Sequence, residues 1–125
     1  MVIAVVVASV AAFVVSSAWY IGFGRVWARL SPAGATARPS PWRMSAEFVR
    51  TLVLVAAFAL LAGAAGVEGV PGALGLALVV WAGFPVVILA GSVLHERVPA
   101  GLAALHAGDW LVKIAVVAVL VGVWR

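Results

Sequence analysis

The chain has no cysteine, so disulfides and thiol chemistry are excluded and the redox compartment is left open. Charge is nearly as scarce, with 8 Lys and Arg against 4 Asp and Glu in 125 residues. No Gly-rich phosphate loop, G-x-S-x-G elbow or paired-carboxylate arrangement occurs, which removes conventional soluble-enzyme chemistry. His95 and His106 stand too far apart to share one helical turn, and no third ligand type clusters with them. Metal, haem and other cofactors are therefore not expected. An isoelectric point near 11.3 would suit nucleic acid. No aromatic-interleaved basic patch accompanies it, so a nucleic-acid partner is not expected either.

What is present is apolar. Hydrophobic residues make up 66% of the chain and the mean hydropathy is +1.25, far above the roughly 45–50% apolar share of soluble domains. The partner this composition demands is the lipid bilayer. A bilayer core takes about 20 apolar residues per helix, and four runs fit: Val2 to Phe23, Phe48 to Gly66, Pro71 to Leu94 and Pro99 to Trp124. The expected fold is all-α, an integral membrane four-helix bundle that forms one transmembrane domain over residues 1–125, with no soluble domain. Arg25, Arg29, Arg38, Arg43 and Arg50 lie in or beside the loop 24–47, and Arg97 lies between the last two spans. Only Arg125 falls on the other side, so the positive-inside rule puts both loops in the cytoplasm and both termini outside. Ser16-Ser17-Ala18 has the look of a signal-peptidase site. No Lys or Arg precedes it, and the first helix is expected to be retained.

Several local signals refine this plan. Ser31 to Ser40, rich in Pro, Gly and small residues without helical periodicity, reads as the one real linker. Ser40 followed by Pro41 is a helix start, an N-cap hydroxyl with proline at the first helical position. Arg43, Glu47 and Arg50, at offsets of four and seven, read as a solvated ion-pair ladder at headgroup level. Pro85 removes a backbone hydrogen bond within the third span and should kink it. Small residues recur at Ala104 and Gly108, Ala118 and Gly122, and Gly72 and Gly75, which favours close helix packing in lipid.

The most informative stretch lies in the fourth span. His106, Asp109, Trp110 and Lys113 recur at offsets of three, four and seven, so all four share one helical face. Ionisable groups inside a span are expensive and are a functional-site hypothesis by default. Asp109 and Lys113 at i and i+4 are placed to pair, which by itself would be a structural device. The functional reading makes Asp109, His106 and Lys113 the acid–base or anion-binding groups of a site. Trp19 and Tyr20 of the first span, Trp81 and Phe84 of the third, and Trp110 supply aromatic side chains at a similar depth. They suit a lipophilic ligand, although Trp19 and Tyr20 also read as an interfacial belt.

Three stretches carry a family resemblance: Ala18-Trp-Tyr-Ile-Gly-Phe-Gly-Arg-Val-Trp27, Trp81-Ala-Gly-Phe84, and His106-Ala-Gly-Asp-Trp-Leu-Val-Lys113 with Val121-Gly-Val-Trp-Arg125. The chain resembles a small bacterial family known only as domain of unknown function 1761, over nearly its whole length. The resemblance implies a multi-pass protein of the bacterial inner membrane and carries over no catalytic residue. Small multidrug exporters are also four-span proteins of about this length, but their pattern has a membrane-embedded Glu in helix one, and Val2 to Ile21 contains no acid.

Three functions remain open on these residues. One is binding of a lipophilic or prenyl-type molecule at the polar face of the fourth helix, with Asp109 as proton donor if the ligand is isomerised or cyclised. Another is proton-coupled transport by a homodimer, with Asp109 as the coupling site. The last is a structural or accessory subunit that docks a partner through its small-residue faces.

Overall fold

The computed structural model describes residues 1–125, which are all helix and short connections. Helices α1 (Val2–Gly22), α2 (Gly24–Leu30), α3 (Pro32–Ala35), α4 (Pro41–Ala64), α5 (Gly69–Gly83), α6 (Pro85–Glu96) and α7 (Ala100–Val123) follow in order. Four stretches are long and apolar enough to cross a membrane: α1, α4, α5 with α6, and α7. Their outer faces carry exposed Val, Leu, Ile and Phe side chains, such as Val2, Ile21, Leu60 and Ile88. In water such a surface would aggregate; in lipid it is solvated.

Local chemistry explains the boundaries. The Ser40 hydroxyl accepts from the Arg43 N–H at 3.2 Å and Pro41 opens α4, as the sequence signal implies. α4 ends in a Schellman arrangement: Val67 N–H reaches Ala62 O at 2.9 Å and Gly66 N–H reaches Gly63 O at 3.1 Å. Gly66 adopts φ 69° there, a conformation glycine enters without a Cβ penalty. The third span breaks at Phe84 (φ −120°, ψ −77°), directly before Pro85, and divides into α5 and α6. Proline has no N–H to give and its ring crowds the preceding turn.

α5 starts at Gly69, two residues before Pro71, in keeping with the approximate bound of the third span. One expectation needs correction. The linker 31–40 contains a short helix, α3, where irregular chain was expected. Ser31 accepts from Ala33 N–H at 3.2 Å with Pro32 at the first helical position, the same signature that starts α4.

The bundle is built around α7, which packs on α5 and α1, while α4 packs along α1 and meets α7 only sparsely. α1 presents Ala4, Ala8, Ala12 and Ser16, four apart and all buried, so its backbone approaches its neighbours closely. Seven of the twelve core residues are alanine, with Val55, Phe58, Ile114, Val117 and Val121 filling the remaining volume. At one end of the bundle Arg125 Nε donates to Val67 O at 2.7 Å, tying the C-terminus to the α4–α5 turn.

Candidate functional site

α7 is held at its polar end by two tryptophans. Trp19 of α1 donates from Nε1 to Leu105 O at 3.1 Å, and Trp81 of α5 donates to Ala107 O at 2.9 Å. These indoles grip the α7 backbone from two neighbouring helices, one turn before Asp109. Trp19 also stands close to the bare backbone of Gly108, where a Cβ would be 2.5 Å from its ring. Tyr20, next along α1, shares a 2.5 Å hydrogen bond with His106 through its hydroxyl and the ring Nδ1. Antiparallel α1 and α7 are thereby fixed in register.

Beyond these ties a cavity of about 530 Å³ opens between α1, α4 and α7. Its polar lining includes Ser16, Ser17 and Tyr20 from α1, Glu47, Arg50 and Thr51 from α4, and His106, Asp109 and Lys113 from α7. Its aromatic lining is Phe13, Tyr20, Trp27 and Trp110. Trp27 reaches the cavity because α2 folds back, its ring 4.8 Å from that of Tyr20.

Asp109 and Lys113 are buried, with side chains 5% and 6% exposed. Lys113 Nζ stands 3.4 Å from Asp109 Oδ2, a long contact for a buried pair, and 4.3 Å from the centre of the Trp110 ring. Asp109 Oδ1 accepts no hydrogen bond from the protein. A buried carboxylate oxygen without a donor is costly, about 1–3 kcal/mol or more for a charged group, and calls for a partner that enters the cavity. Facing it, Arg50 and Glu47 pair at 2.6 Å and remain largely exposed.

The structure thus brings together His106, Asp109, Lys113, Tyr20 and Trp110, five of the residues singled out by sequence. Trp19 and Trp81 lie outside this cavity's lining and act as backbone clamps, because each indole N–H finds its partner on α7. Phe84 is also outside it, exposed beside Ile88 in a neighbouring apolar cleft. Trp42, near the start of α4, is 78% exposed.

Glu47 and Arg50, part of a headgroup ladder by sequence, and Thr51, which carries no sequence signal of its own, line the cavity. Within that ladder only Glu47 and Arg50 pair; Arg43 stays apart. A signal existed: Glu47, Arg50, Thr51 and Leu54 repeat the offsets of three, four and seven found in His106, Asp109, Trp110 and Lys113. Gly108 and Gly122 are consumed within the chain, by Trp19 and by the Val70 backbone.

The sequence profile of a family described as a protein of unknown function (DUF1761) matches residues 3–122. The chain belongs to the DUF1761 family. No curated protein and no solved structure matches it significantly. Membership agrees with a multi-pass membrane protein and assigns no chemistry, so the site's own geometry has to supply the reading.

Proposed function

We propose that this DUF1761 protein binds a lipophilic small molecule in the cavity between α1, α4 and α7, with Asp109 as its principal polar contact. The observation that carries the reading is Asp109, a buried residue of the cavity lining whose Oδ1 has no protein donor. Phe13, Trp27 and Trp110 suit the apolar part of such a ligand, and the many polar side chains between them suit its head group. His106, held by Tyr20, and Lys113, held over Trp110, are the two further groups that would orient it. The N-out, C-out arrangement in a bacterial inner membrane goes with this proposal, placing the cavity toward the cytoplasmic side where the arginines cluster.

A carboxylate in contact with an ammonium accepts hydrogen bonds and does not donate one. This supports binding more directly than proton donation, so acid-driven isomerisation or cyclisation of a prenyl-type ligand is the more demanding form of the proposal. Proton-coupled transport by a homodimer is the second reading, favoured by the same unpartnered acid within a span. A proton-gradient-dependent flux in liposomes would separate it from binding or catalysis.

Native mass spectrometry of protein extracted in mild detergent tests the proposal, with Asp109→Asn and Lys113→Met alongside. A co-purifying lipophile held by the native protein and lost from the folded variants is the expected result. Bare protein in every sample, with both variants destabilised, would leave the pair a structural element and end the ligand reading.

A further inference from the structure

The polar cavity adjoins a second space, with which it shares two lining residues. Trp110 and Leu89 also line an apolar cleft of about 270 Å³ that continues past Leu54, Val80 and Ile114 and opens to the outside beside Phe84 and Ile88. Leu54, Val80 and Ile114 then pass it on to a smaller void of about 100 Å³ that reaches Leu61 and Val117. From Asp109 to Val117 this path follows α7 for about 12 Å. It lies where α4 leans on α1 and stands off α7, beside the helix break at Phe84–Pro85. Phe84 is 63% and Ile88 67% exposed at the cleft's rim, where a surrounding bilayer would place acyl chains.

Head and tail have different chemistry. At the head, Asp109 Oδ1 lacks a donor, and Lys113 lies 3.4 Å from the same carboxylate. Asp109 and Lys113 already neutralise each other, so a charged head of either sign would bring an uncompensated charge out of water. A neutral hydroxyl satisfies Oδ1 without adding charge. Past Trp110, the walls are apolar and suit a single hydrocarbon chain.

We infer that the ligand is a neutral, hydroxyl-headed lipid that reaches the site sideways from the bilayer, donating its O–H to Asp109 Oδ1 and laying its chain along the α4–α6–α7 cleft. This rests on the binding proposed above and names the ligand class and its route.

The test uses the full chain in phosphatidylcholine nanodiscs with hexadecanol bearing a mid-chain diazirine, and its methyl ether as control. Adducts located by mass spectrometry are expected on Leu54, Phe84 or Ile88, competed away by unlabelled hexadecanol or geranylgeraniol; the stronger competitor tells straight-chain from isoprenoid ligands. The ether, which has no O–H, should label more weakly by roughly ten-fold or more. In the double variant Asp109→Leu with Lys113→Met, which leaves neither charge alone in the core, alcohol and ether should label equally. Ile88→Trp, placed on the exposed rim, should block the cleft without touching the head site.

Equal labelling by alcohol and ether in the native protein would overturn the hydroxyl assignment while leaving binding intact. Competed adducts on Ser17 or Tyr20 alone would overturn the lateral cleft and still support a ligand in the polar cavity. Adducts that no competitor reduces, anywhere in the chain, would sink the binding proposal itself.

Discussion

The two halves of α7 solve opposite problems with one helix. From Ile114 to Gly122 it is a packing element, with Ile114, Val117, Ala118, Val121 and Gly122 buried against small residues of α1 and α5. From His106 to Lys113 it holds a buried ion pair, an unpartnered carboxylate oxygen and the wall of a cavity. In the first half stability comes from close approach, since helices in lipid gain little from burying apolar surface and must rely on van der Waals contact. The polar half leaves room where it might have packed. Two tryptophan clamps hold its backbone in place, so the open cavity does not collapse.

The largest break in this comparison should come from the ion pair. Asp109→Leu alone leaves Lys113 as an uncompensated buried charge and should destabilise by about 3–5 kcal/mol. Adding Lys113→Met should recover most of that loss, because replacing a buried pair by apolar groups of similar volume is often neutral. Unfolding in mixed micelles, read for the single and double variants, checks both. A double variant no more stable than the single one would mean that the pair contributes much more than mutual neutralisation.

The packing half is probed next by adding one methyl at each of two glycines. At Gly122 a Cβ would stand 2.7 Å from the Val70 Cα and 3.0 Å from the Gly69 carbonyl oxygen, both backbone atoms. Backbone gives way only if α5 shifts, so Gly122→Ala should lower stability by about 2–3 kcal/mol. At Gly108 the obstacle is the Trp19 side chain, which can swing aside at the expense of its bond to Leu105 O. Gly108→Ala should therefore lower stability by about 1–2 kcal/mol, with Trp19 fluorescence shifting as its N–H is released. Equal losses at both positions would mean that the Trp19 clamp is as rigid as backbone.

These two glycines also mark how far sequence reaches. Their spacing from Ala104 and Ala118 was legible as a packing signal, but not the identity of what they pack against. The four spans, the Ser40–Pro41 start and the break at Pro85 were legible because each depends on hydropathy or on the residue's own backbone chemistry. The polar stripe of α7 was legible for the same reason, as a departure from hydropathy. Trp19 and Trp81 were harder, since an indole at a span end suits an interface, a pocket or a clamp equally, and one near mid-span suits a pocket or a clamp. Only the position of the Leu105 and Ala107 carbonyls decides among them. The repeated offsets mark Glu47, Arg50 and Thr51 as one face of α4, but whether that face meets headgroups or a cavity depends on α4 leaning toward α1.

The remaining clamp gives a smaller effect. Trp81→Phe keeps most of the ring volume and removes the Nε1–H bond to Ala107 O. That carbonyl can still accept within its own helix, so no buried acceptor is orphaned and the loss should be about 0.5–1.5 kcal/mol. Its sharper consequence is dynamic, with faster amide exchange expected around Ala107 to Lys113 and little change near Val117 to Gly122. Uniform acceleration along α7 would show that its two halves are not independent.

The smallest effect should come from the pair that faces Asp109 and Lys113 across the cavity. Glu47 and Arg50 are joined at 2.6 Å, but their side chains are 41% and 67% exposed. An exposed pair one turn apart on a helix contributes a few tenths of a kcal/mol, so Glu47→Gln should leave the unfolding midpoint almost unchanged. An ion pair that is severe to break at Asp109 is therefore nearly silent here, even at the shorter distance, because water and headgroups take over each partner's solvation. A marked loss of stability in Glu47→Gln would place this pair in low dielectric as well, and the cavity would then be closed to water on the α4 side too.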